Sequence, residues 1–578
     1  MQHTAQPTST PRFDWRALGW QFLFFWYFSG VTHLLIQLNG DAGFSGFRQA
    51  TTMSILWLAP TLLWPAQTKR ITAVLGLLLG SLSLLSFGYY LVYGQEFSQS
   101  VIFILFESNL REGSEYLVQY LSLGNAVAFA AYIAGACLIW RYKIRPAYAA
   151  QHWRPTLALL VLVSSVGYPF GKEFLATGDL HSARAHLEKR LEPAVPWQLL
   201  MGYAQYREQL HNMQNLLAQN QALPPLEGLK DISGNGPQTV VLVIGESTNR
   251  QRMSLYGYRR DTSPELQKRS AQLAVFDNVV TPRPYTIEAL QQVLTFADQT
   301  HPNDYLTTPS VVNLMKQAGY KTYWVTNQQT ITARNTMLTT FSQQADEQVY
   351  LNNNREQNSR QYDDDVLEPF AKALTDPAPR KFIVVHLLGT HMSYQYRYPQ
   401  NYERFTDRQG APAWVDNYEL PTYNSYDNAV LFNDHVVAGL IERLDSGSNK
   451  GLLVYLSDHG EAVFDAPDDA TLGRNEGRPT APMYTVPFIV WRSAAWQSAH
   501  PRDFSSMLQR PYSSMNFIHT LADLSELRFD RFEPSKSLVN AGFVAQPLLI
   551  GNPEQPKNLI DFSLIKPKTA PTHVAQSN

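Results

Sequence analysis

The first 175 residues contain five apolar segments, which are too many and too long for a soluble domain of this size to bury. Each is long enough, or nearly so, to cross the roughly 30 Å of hydrocarbon in a bilayer as a helix. The segments span 17–38, 52–67, 71–93, 122–140 and 155–171. The second is the least regular because it contains Pro60 and Pro65. The first lacks a small-residue cleavage site, so we expect a retained anchor and five transmembrane helices.

Basic residues lie in alternate connections between these segments and predict an orientation. They precede the first segment and separate the second from the third and the fourth from the fifth, at Arg12, Arg16, Lys69, Arg70, Arg141, Lys143, Arg145 and Arg154. The connection between the third and fourth segments is acidic instead, with Glu96, Glu107, Glu112 and Glu115. Because Lys and Arg stay in the cytoplasm, we expect a cytoplasmic N-terminus. The chain after about residue 172 is then outside, which in a bacterium means a periplasmic domain on the inner membrane.

Four parts of the chain are predicted from these patterns. Residues 1–175 form the membrane domain, within which 97–118 predict an amphipathic helix at the membrane surface, with a solvated loop as the open alternative. Residues 176–236 predict a helical linker, 237–556 a catalytic α/β domain, and 557–578 a loose C-terminal tail. The length alone excludes a single compact core.

Short apolar runs alternate with helical patterns throughout the third part. The predicted strands are 239–245, 274–280, 321–326, 381–388, 451–457 and 485–491, with helices at 308–319, 364–374 and 427–445. Such alternation predicts a largely parallel sheet that is covered by helices on both faces. The net charge of −2 gives no reason to expect a nucleic acid partner. The basic residues near 250–260 are expected to form a solvated face.

Chemically useful side chains follow two of the predicted strands directly. Glu246 comes after strand 239–245, while Asp458 and His459 come after strand 451–457. Open α/β sheets carry their chemistry at the edge where parallel strands end, so these side chains are expected to meet there. Two carboxylates and an imidazole suit zinc, with manganese as the alternative. A hydroxyl at Thr286 would complete the set and become a competent nucleophile beside such a cation.

Four motifs contain or accompany these residues, namely Gly245-Glu-Ser-Thr-Asn-Arg-Gln-Arg-Met-Ser-Leu-Tyr-Gly-Tyr-Arg-Arg-Asp-Thr-Ser-Pro264, Thr281-Pro-Arg-Pro-Tyr-Thr286, His386-Leu-Leu-Gly-Thr-His391 and Ser457-Asp-His-Gly-Glu461. They resemble the motifs of the phosphoethanolamine transferases of Gram-negative inner membranes, most closely the branch that modifies the core heptose of lipopolysaccharide. The resemblance covers nearly the whole chain. It implies five spans and a periplasmic domain of the alkaline phosphatase/sulfatase fold.

The resemblance also implies roles for individual residues. Glu246, Thr286, Asp458 and His459 would hold zinc, and Thr286 would be the nucleophile. His386 and His391 match family histidines that bind the phosphoryl group or a second metal. Two further pairs of contacts are predicted. Asn327 and Arg334, after a strand, would contact the phosphoryl group, and Asn109 and Glu115, in the acidic connection, would contact the donor-lipid headgroup.

The chain departs from the family pattern in two places. Family members often have a further histidine about ten residues after Asp-His-Gly, where this chain has Asp465-Ala-Pro-Asp-Asp469. A second metal site is therefore left open, as is the role of Asp468 and Asp469. Other branches of the family have cysteines around the nucleophile, and this chain has none there.

The resemblance implies transfer of phosphoethanolamine from phosphatidylethanolamine to lipopolysaccharide through a covalent intermediate on Thr286. The acceptor is expected to be core heptose, with a lipid A phosphate or a periplasmic glucan as alternatives, and the protein is expected to be a monomer among membrane lipids. A membrane-anchored phosphoglycerol transferase, phosphodiesterase or sulfatase of the same fold is the alternative enzyme. A sulfatase would need a Cys or Ser nucleophile in a Cys/Ser-x-Pro-x-Arg setting, which Thr286 lacks. A non-enzymatic membrane sensor is the alternative from another class.

Overall fold

The protein, represented by a computed structural model, divides into two compact units. These units are Met1–Glu208 and Gln209–Asn578. The structure describes residues 13–38, 44–93, 122–178, 180–219, 225–232, 234, 236–328, 340–352, 361–447, 450–467 and 471–565. The division falls inside the segment predicted as a linker, 176–236, so each unit takes part of that segment.

The first unit is helical. Its helices are Trp15–Leu38 (α1), Phe44–Ser54 (α2), Leu58–Leu63 (α3), Thr68–Tyr93 (α4), Leu123–Tyr142 (α5), Arg154–Leu162 (α6), Tyr168–Thr177 (α7) and Leu180–Leu191 (α8), followed by Trp197–Gln219 (α9), which runs past the division. Among the described residues, three helical stretches are long and apolar enough to cross a membrane, namely Pro65–Val92, Leu123–Tyr142 and Gln151–Ala176. They coincide with the third, fourth and fifth predicted spans.

The first two predicted spans differ from this pattern. Helix α1 has 24 residues and so the necessary length, but polar residues such as Gln21 and His33 lower its mean hydropathy. The segment 52–67 is not one helix: a 3₁₀ turn separates α2 from α3, and Trp64 leaves the helical conformation before Pro65. Proline cannot continue a helix, because it lacks the N–H group and crowds the preceding turn. The count of five spans therefore stays a prediction.

Residues after the last candidate span pack back onto α1. His33 Nε2 lies 2.7 Å from Pro193 O, and Val195 N donates to Ser29 Oγ at 3.0 Å. Val195 is buried in the same apolar cluster as Phe24. These contacts explain why the chain up to Glu208 belongs to the helical unit.

The second unit is built on a seven-stranded sheet. Its strands are Gln238–Gly245 (β1), Leu273–Val275 (β2), Lys321–Thr326 (β3), Glu347–Tyr350 (β4), Arg380–His386 (β5), Lys450–Ser457 (β6) and Phe488–Arg492 (β7). The order across the sheet is β2-β7-β6-β1-β5-β3-β4. Strands β6, β1, β5, β3 and β4 are parallel, whereas β7 runs antiparallel to both of its neighbours. The predicted α/β fold with a largely parallel sheet is confirmed.

Helices cover both faces of this sheet. They are Pro264–Lys268 (α10), Thr286–Val293 (α11), Val311–Gln317 (α12), Leu367–Leu374 (α13), Leu420–Ser446 (α14), Ala481–Tyr484 (α15), Ala494–Ala499 (α16) and Phe517–Leu524 (α17). Val240 and Leu242 of β1 pack in one cluster with Leu290 of α11 and Leu521 of α17. Val241 and Val243, whose side chains point to the opposite face of the strand, are also fully buried. A strand buried on both faces has the continuous apolar sequence that β1 shows.

The predicted tail is ordered in its first part. Residues 560–561 pair antiparallel with 549–550, and Phe562 and Ile565 pack against a small apolar cluster. The prediction that the chain is loose from residue 557 is wrong as far as Ile565, because these apolar side chains have a partner surface. The remaining residues of the tail lie outside the described part of the chain.

The arginines near 250–260 do not form a uniformly solvated face. Arg252 and Arg260 are 2% and 4% exposed, and both pair with Asp427 of α14. Arg252 also pairs with Asp465 at 2.9 Å and stacks 3.7 Å from the ring centre of Tyr423. A buried cation needs such partners, because burial without them costs several kcal/mol. The network attaches the loop after β1 to α14 and to the loop after β6.

Replacing Asp427 by Asn should destabilise the second unit, because Arg260 then loses its anionic partner and Arg252 keeps only Asp465. The expected loss is about 3–5 kcal/mol of unfolding free energy. Urea unfolding of the full-length protein in detergent measures it. Asp261→Asn is the matched control, since Asp261 pairs with Arg404 at the surface and its loss should cost less than about 1 kcal/mol. Equal effects of the two substitutions would contradict this account of the network.

Candidate active site

Strand register brings two of the predicted residues to the same edge of the sheet. Gly245 of β1 pairs with Ser457 of β6, so Glu246 and Asp458 are the next residues on adjacent parallel strands. Thr286 is the first residue of α11. The carboxyl ends of parallel strands are where open α/β sheets place their reactive groups.

Glu246, Asp458 and His459 form a compact cluster. One ligand atom from each lies within 4.8 Å of the others. His459 Nε2 is 3.2 Å from Glu246 Oε1 and 3.2 Å from Asp458 Oδ2. All three side chains are fully buried, at 1% exposure or less. Among the residues that the structure describes, this is the only such group of His, Cys, Asp and Glu.

The hydroxyl of Thr286 belongs to the same cluster. Thr286 Oγ1 donates to Glu246 Oε2 at 3.0 Å and lies 3.2 Å from His459 Nε2. Its place at the start of α11 adds the partial positive charge of a helix N-terminus, which favours a developing alkoxide. The position therefore combines a proton acceptor with electrostatic stabilisation.

The two carboxyl groups of the cluster cannot both ionise easily without a cation. Burial and the charge of Glu246 raise the pKa of Asp458 well above its ordinary value. Burial also acts to raise the pKa of Glu246, but the contacts of Glu246 with His459 and the charges of His391 and Arg474 outweigh it and hold this pKa well below the ordinary range. Burial, followed by the charge of Arg474, lowers the pKa of His459, which favours the neutral imidazole that a metal ion needs as a ligand.

The remaining lone pairs fit a divalent cation. Asp458 Oδ1 accepts hydrogen bonds from the backbone N–H groups of Ser247 and His459, at 3.1 and 2.7 Å. The other oxygen, Oδ2, is buried and has no hydrogen-bond partner among the described residues. His459 Nδ1 lies 2.9 Å from Gly460 O, and donation there leaves a lone pair on Nε2, which faces Arg474 Nη1 at 2.6 Å as well as the two carboxylates at 3.2 Å. Two carboxylates, an imidazole and a hydroxyl are a donor set suited to Zn²⁺.

The backbone around Glu246 is enclosed by the loop after β5. Thr390 N and Thr390 Oγ1 both donate to Glu246 O, at 2.9 and 3.0 Å. A Cβ at Gly389 would lie 2.7 Å from the same oxygen, and Gly389 has φ +55°, so this position requires glycine. Gln328 Nε2 donates to Glu246 Oε2 at 3.3 Å and to Leu387 O at 2.8 Å. These contacts fix the carboxylate before any cation arrives.

The predicted histidines lie beside the cluster and are not part of it. His386 pairs in register with Ile244, two residues before Glu246, and it is buried with its ring edge against Trp324. Burial lowers the pKa of His386 to about 4, so the ring is neutral, and its Nε2 has no hydrogen-bond partner among the described residues. His391 is partly exposed, and its charge acts on Glu246.

Asn327 contacts a neighbouring loop. Asn327 Nδ2 donates to Asp363 Oδ1 at 2.8 Å, and Asp363 accepts in turn from Leu388 N and Gly389 N. This arrangement positions the loop that encloses Glu246, while the predicted phosphoryl contact of Asn327 stays a prediction. The other predicted or open positions lie outside the described residues, namely Arg334, Asn109, Glu115, Asp468 and Asp469.

Sequence reasoning missed a buried arginine at the site. Arg474 Nη1 lies 2.6 Å from His459 Nε2 and 3.6 Å from Glu246 Oε1, while its Nε is 3.3 Å from Glu461 Oε2. Arg474 follows the short hairpin formed by residues 462–463 and 472–473. No long strand or helical period leads into it, so only the basic charge within the Gly473-Arg-Asn-Glu476 run could have drawn attention.

Comparison with known proteins agrees with this geometry. The sulfatase family matches residues 238–527. Phosphoethanolamine transferase EptC of Escherichia coli is 50% identical over 568 residues, which cover 97% of this chain and 98% of that protein. Phosphoethanolamine transferase CptA of Salmonella typhimurium is 50% identical over 570 residues, which cover 98% of each chain.

Solved structures give the same relationship. The crystal structure of the C-terminal periplasmic domain of EptC from Escherichia coli, in complex with Zn, has a TM-score of 0.58 and 56% identity, covering 59% of this chain and 97% of that one. The integral membrane protein lipooligosaccharide phosphoethanolamine transferase A from Neisseria meningitidis shows likeness of fold alone, with a TM-score of 0.59 and 15% identity over 90% of this chain and 97% of that one. The chain therefore belongs to the sulfatase family and, within it, to the phosphoethanolamine transferases.

Proposed function

We propose that the protein transfers phosphoethanolamine from phosphatidylethanolamine to lipopolysaccharide through a covalent intermediate on Thr286. The observation that carries the proposal is the hydroxyl of Thr286, which lies between Glu246 Oε2 and His459 Nε2 at 3.0 and 3.2 Å. A hydroxyl that contacts a cluster of candidate metal ligands at the edge of a sheet is positioned to become an activated nucleophile. A sulfatase would need a Cys or Ser nucleophile where this chain has Thr286, and the 50% identity to named phosphoethanolamine transferases favours phosphoethanolamine over phosphoglycerol as the transferred group.

Glu246, Thr286, Asp458 and His459 would hold the metal ion of the proposed reaction. The buried Asp458 Oδ2 and the directed lone pair of His459 Nε2 fit zinc, and the related Escherichia coli domain was crystallised with Zn. When bound, Zn²⁺ stabilises negative charge on the threonine oxygen and on the phosphoryl group. We propose one zinc ion at this cluster, with Mn²⁺ as the alternative, and leave His386 and His391 as candidates for phosphoryl contact.

In the first step, the oxygen of Thr286 attacks the phosphorus of phosphatidylethanolamine. The new Thr286 Oγ1–P bond forms as the bond from phosphorus to the diacylglycerol oxygen breaks. Glu246 Oε2 already accepts the hydrogen bond from Thr286 Oγ1, so it orients the hydroxyl for loss of its proton. That proton leaves on the diacylglycerol oxygen, which gives diacylglycerol and a phosphoethanolamine ester of Thr286.

In the second step, an oxygen of the acceptor attacks the same phosphorus. The bond from phosphorus to Thr286 Oγ1 breaks, and the threonine oxygen regains the proton that the acceptor hydroxyl loses. Core heptose is the proposed acceptor and a lipid A phosphate the alternative. A Salmonella typhimurium relative named Kdo(2)-lipid A phosphoethanolamine 7''-transferase is 26% identical over 285 residues.

Both substrates are lipids, which fits a membrane-anchored enzyme. In the described part of the first unit, three helical stretches are long and apolar enough to span a bilayer. We propose an inner-membrane protein with five spans, residues 1–175 as the membrane domain and 237–556 as the periplasmic catalytic domain, acting as a monomer. Anchoring confines the active site to the surface where the donor and acceptor lie.

Replacement of Thr286 by Ala should abolish the covalent intermediate and transfer. The substitution removes the attacking oxygen and leaves the other cluster residues in place. Mass spectrometry of full-length protein incubated with phosphatidylethanolamine should show the phosphoethanolamine adduct on Thr286 in the wild type and none in Thr286→Ala. Thr300→Ala is the control, because Thr300 is exposed and lies outside the site. Undiminished transfer by Thr286→Ala would end the proposed mechanism.

Zinc affinity should fall as the pH is lowered. The pKa of Asp458 is raised by burial and by Glu246, so acid favours its protonated form, which must lose a proton to bind the metal. Calorimetry of zinc binding in buffers of different ionisation enthalpy should therefore show proton release. Asp458→Asn should both weaken binding and reduce that release. A zinc affinity independent of pH would contradict the proposed link between zinc binding and deprotonation of Asp458.

Removal of the metal with a chelator should stop formation of the Thr286 adduct.

A further inference from the structure

Arg474 is a cation placed against a cluster that already fits a divalent cation. Its guanidinium lies 2.6 Å from His459 Nε2 and 3.6 Å from Glu246 Oε1. The side chain is only 8% exposed, so water screens it little. The steps described above give this arginine no part, although His459 Nε2 contacts both Arg474 and the hydroxyl of Thr286.

Other residues hold Arg474 in this position. Glu461 Oε2 lies 3.3 Å from Arg474 Nε, and Glu461 Oε1 accepts a hydrogen bond from Tyr394 OH at 2.9 Å. A fully buried carboxylate beside Nε leaves Nη1 directed toward the cluster. The arginine is therefore fixed at one end and presents donors at the other.

The chain after Arg474 is tied to the segment that carries the nucleophile. Glu476 pairs with Arg283 through two hydrogen bonds of 2.5 and 3.1 Å, and both side chains are nearly buried. Glu476 N also donates to Tyr285 OH at 3.4 Å. Arg283 and Tyr285 immediately precede Thr286, so Arg474 is held in a fixed relation to the attacking oxygen.

Charge explains what Arg474 can bind. With a divalent cation in the cluster, the guanidinium would face another positive charge and would be repelled unless an anion lay between them. Arginine presents parallel N–H donors that match two oxygens of a phosphoryl group. The phosphoethanolamine ester formed on Thr286 would supply such oxygens.

We propose that Arg474 binds the nonbridging oxygens of the phosphoethanolamine group in both transfer steps. The inference rests on the proposed function, because it takes the Thr286 ester as the species that is bound. Arg474 would act together with the metal ion on the charge that develops at phosphorus. The competing account is structural, with Arg474 serving only to neutralise Glu246 and Glu461.

The test compares full-length wild type, Arg474→Ala, Arg474→Lys and Arg478→Ala after loading with Zn²⁺. Arg478 is the matched control, since it is an exposed arginine in the same loop. Bound zinc is counted by elemental analysis, and the rate of Thr286 adduct formation is followed by mass spectrometry in a single turnover with phosphatidylethanolamine. Free O-phosphoethanolamine serves as the probe for equilibrium binding to each zinc-loaded protein.

Arg474→Ala should slow adduct formation about a hundredfold while zinc content stays unchanged, because one preorganised phosphoryl contact is lost. Arg474→Lys should recover part of the rate, since it keeps the charge without the planar fork of donors. O-Phosphoethanolamine should bind at least tenfold more weakly to both variants, and Arg478→Ala should match wild type.

Several results would overturn the inference. A rate of adduct formation in Arg474→Ala within threefold of the wild-type rate would do so. A slow rate that is fully explained by a lower zinc content of the variant would also do so. If Arg474→Ala does not fold, Arg474→Lys decides the question, and wild-type rate and binding in that variant refute the role. If wild type forms no adduct, the proposed function fails, and the probe still tests Arg474: unchanged binding of O-phosphoethanolamine refutes it, while weaker binding supports it.

Discussion

The burial of two carboxylates and an imidazole at one point of the sheet edge is the constraint on which the site depends. Glu246, Asp458 and His459 are almost fully excluded from water, and the pKa of Asp458 rises because the group is buried and because a second carboxylate lies beside it. Burial of like charges costs several kcal/mol unless an opposite charge compensates. Arg474 supplies part of this opposite charge, and a divalent cation held by the three side chains would supply the rest.

The rest of the second unit keeps these charges in place. Gly389 lets the loop after β5 approach the backbone of Glu246, and Asp363 holds that loop by accepting from its N–H groups. On another side, Arg252 joins Asp427 of α14 to Asp465, close in sequence to Asp458. Each device replaces water around a buried polar group with a fixed partner. The site is therefore preorganised, which is what electrostatic catalysis requires.

Much of the site could be predicted because its residues adjoin regular elements. Glu246 and Asp458 directly follow apolar strands, so topology alone brings them together. Arg474 could not be found this way, because it follows a hairpin of two-residue strands and depends on long-range contacts. The exposed strand β4 has the sequence Glu-Gln-Val-Tyr, which contains no apolar run that would predict a strand. The segment 52–67 has enough apolar residues for a membrane span, but its helix is interrupted at Trp64 and Pro65. In both segments the composition alone predicts a different secondary structure from the one that forms.

The identity of the fourth donor distinguishes a catalytic metal site from a structural one. Structural zinc sites close their coordination with four strong protein ligands, whereas catalytic sites leave one position to water or substrate. Here three strong ligands converge and the fourth neighbour is the hydroxyl of Thr286, which binds a cation well only as it loses its proton. The deprotonated threonine oxygen would bind a cation more strongly than the hydroxyl does. The same deprotonated oxygen would be the strongest nucleophile at this position. The same interaction that would complete the metal site would therefore start the reaction, and a purely structural ion would leave the placement of Thr286 unexplained.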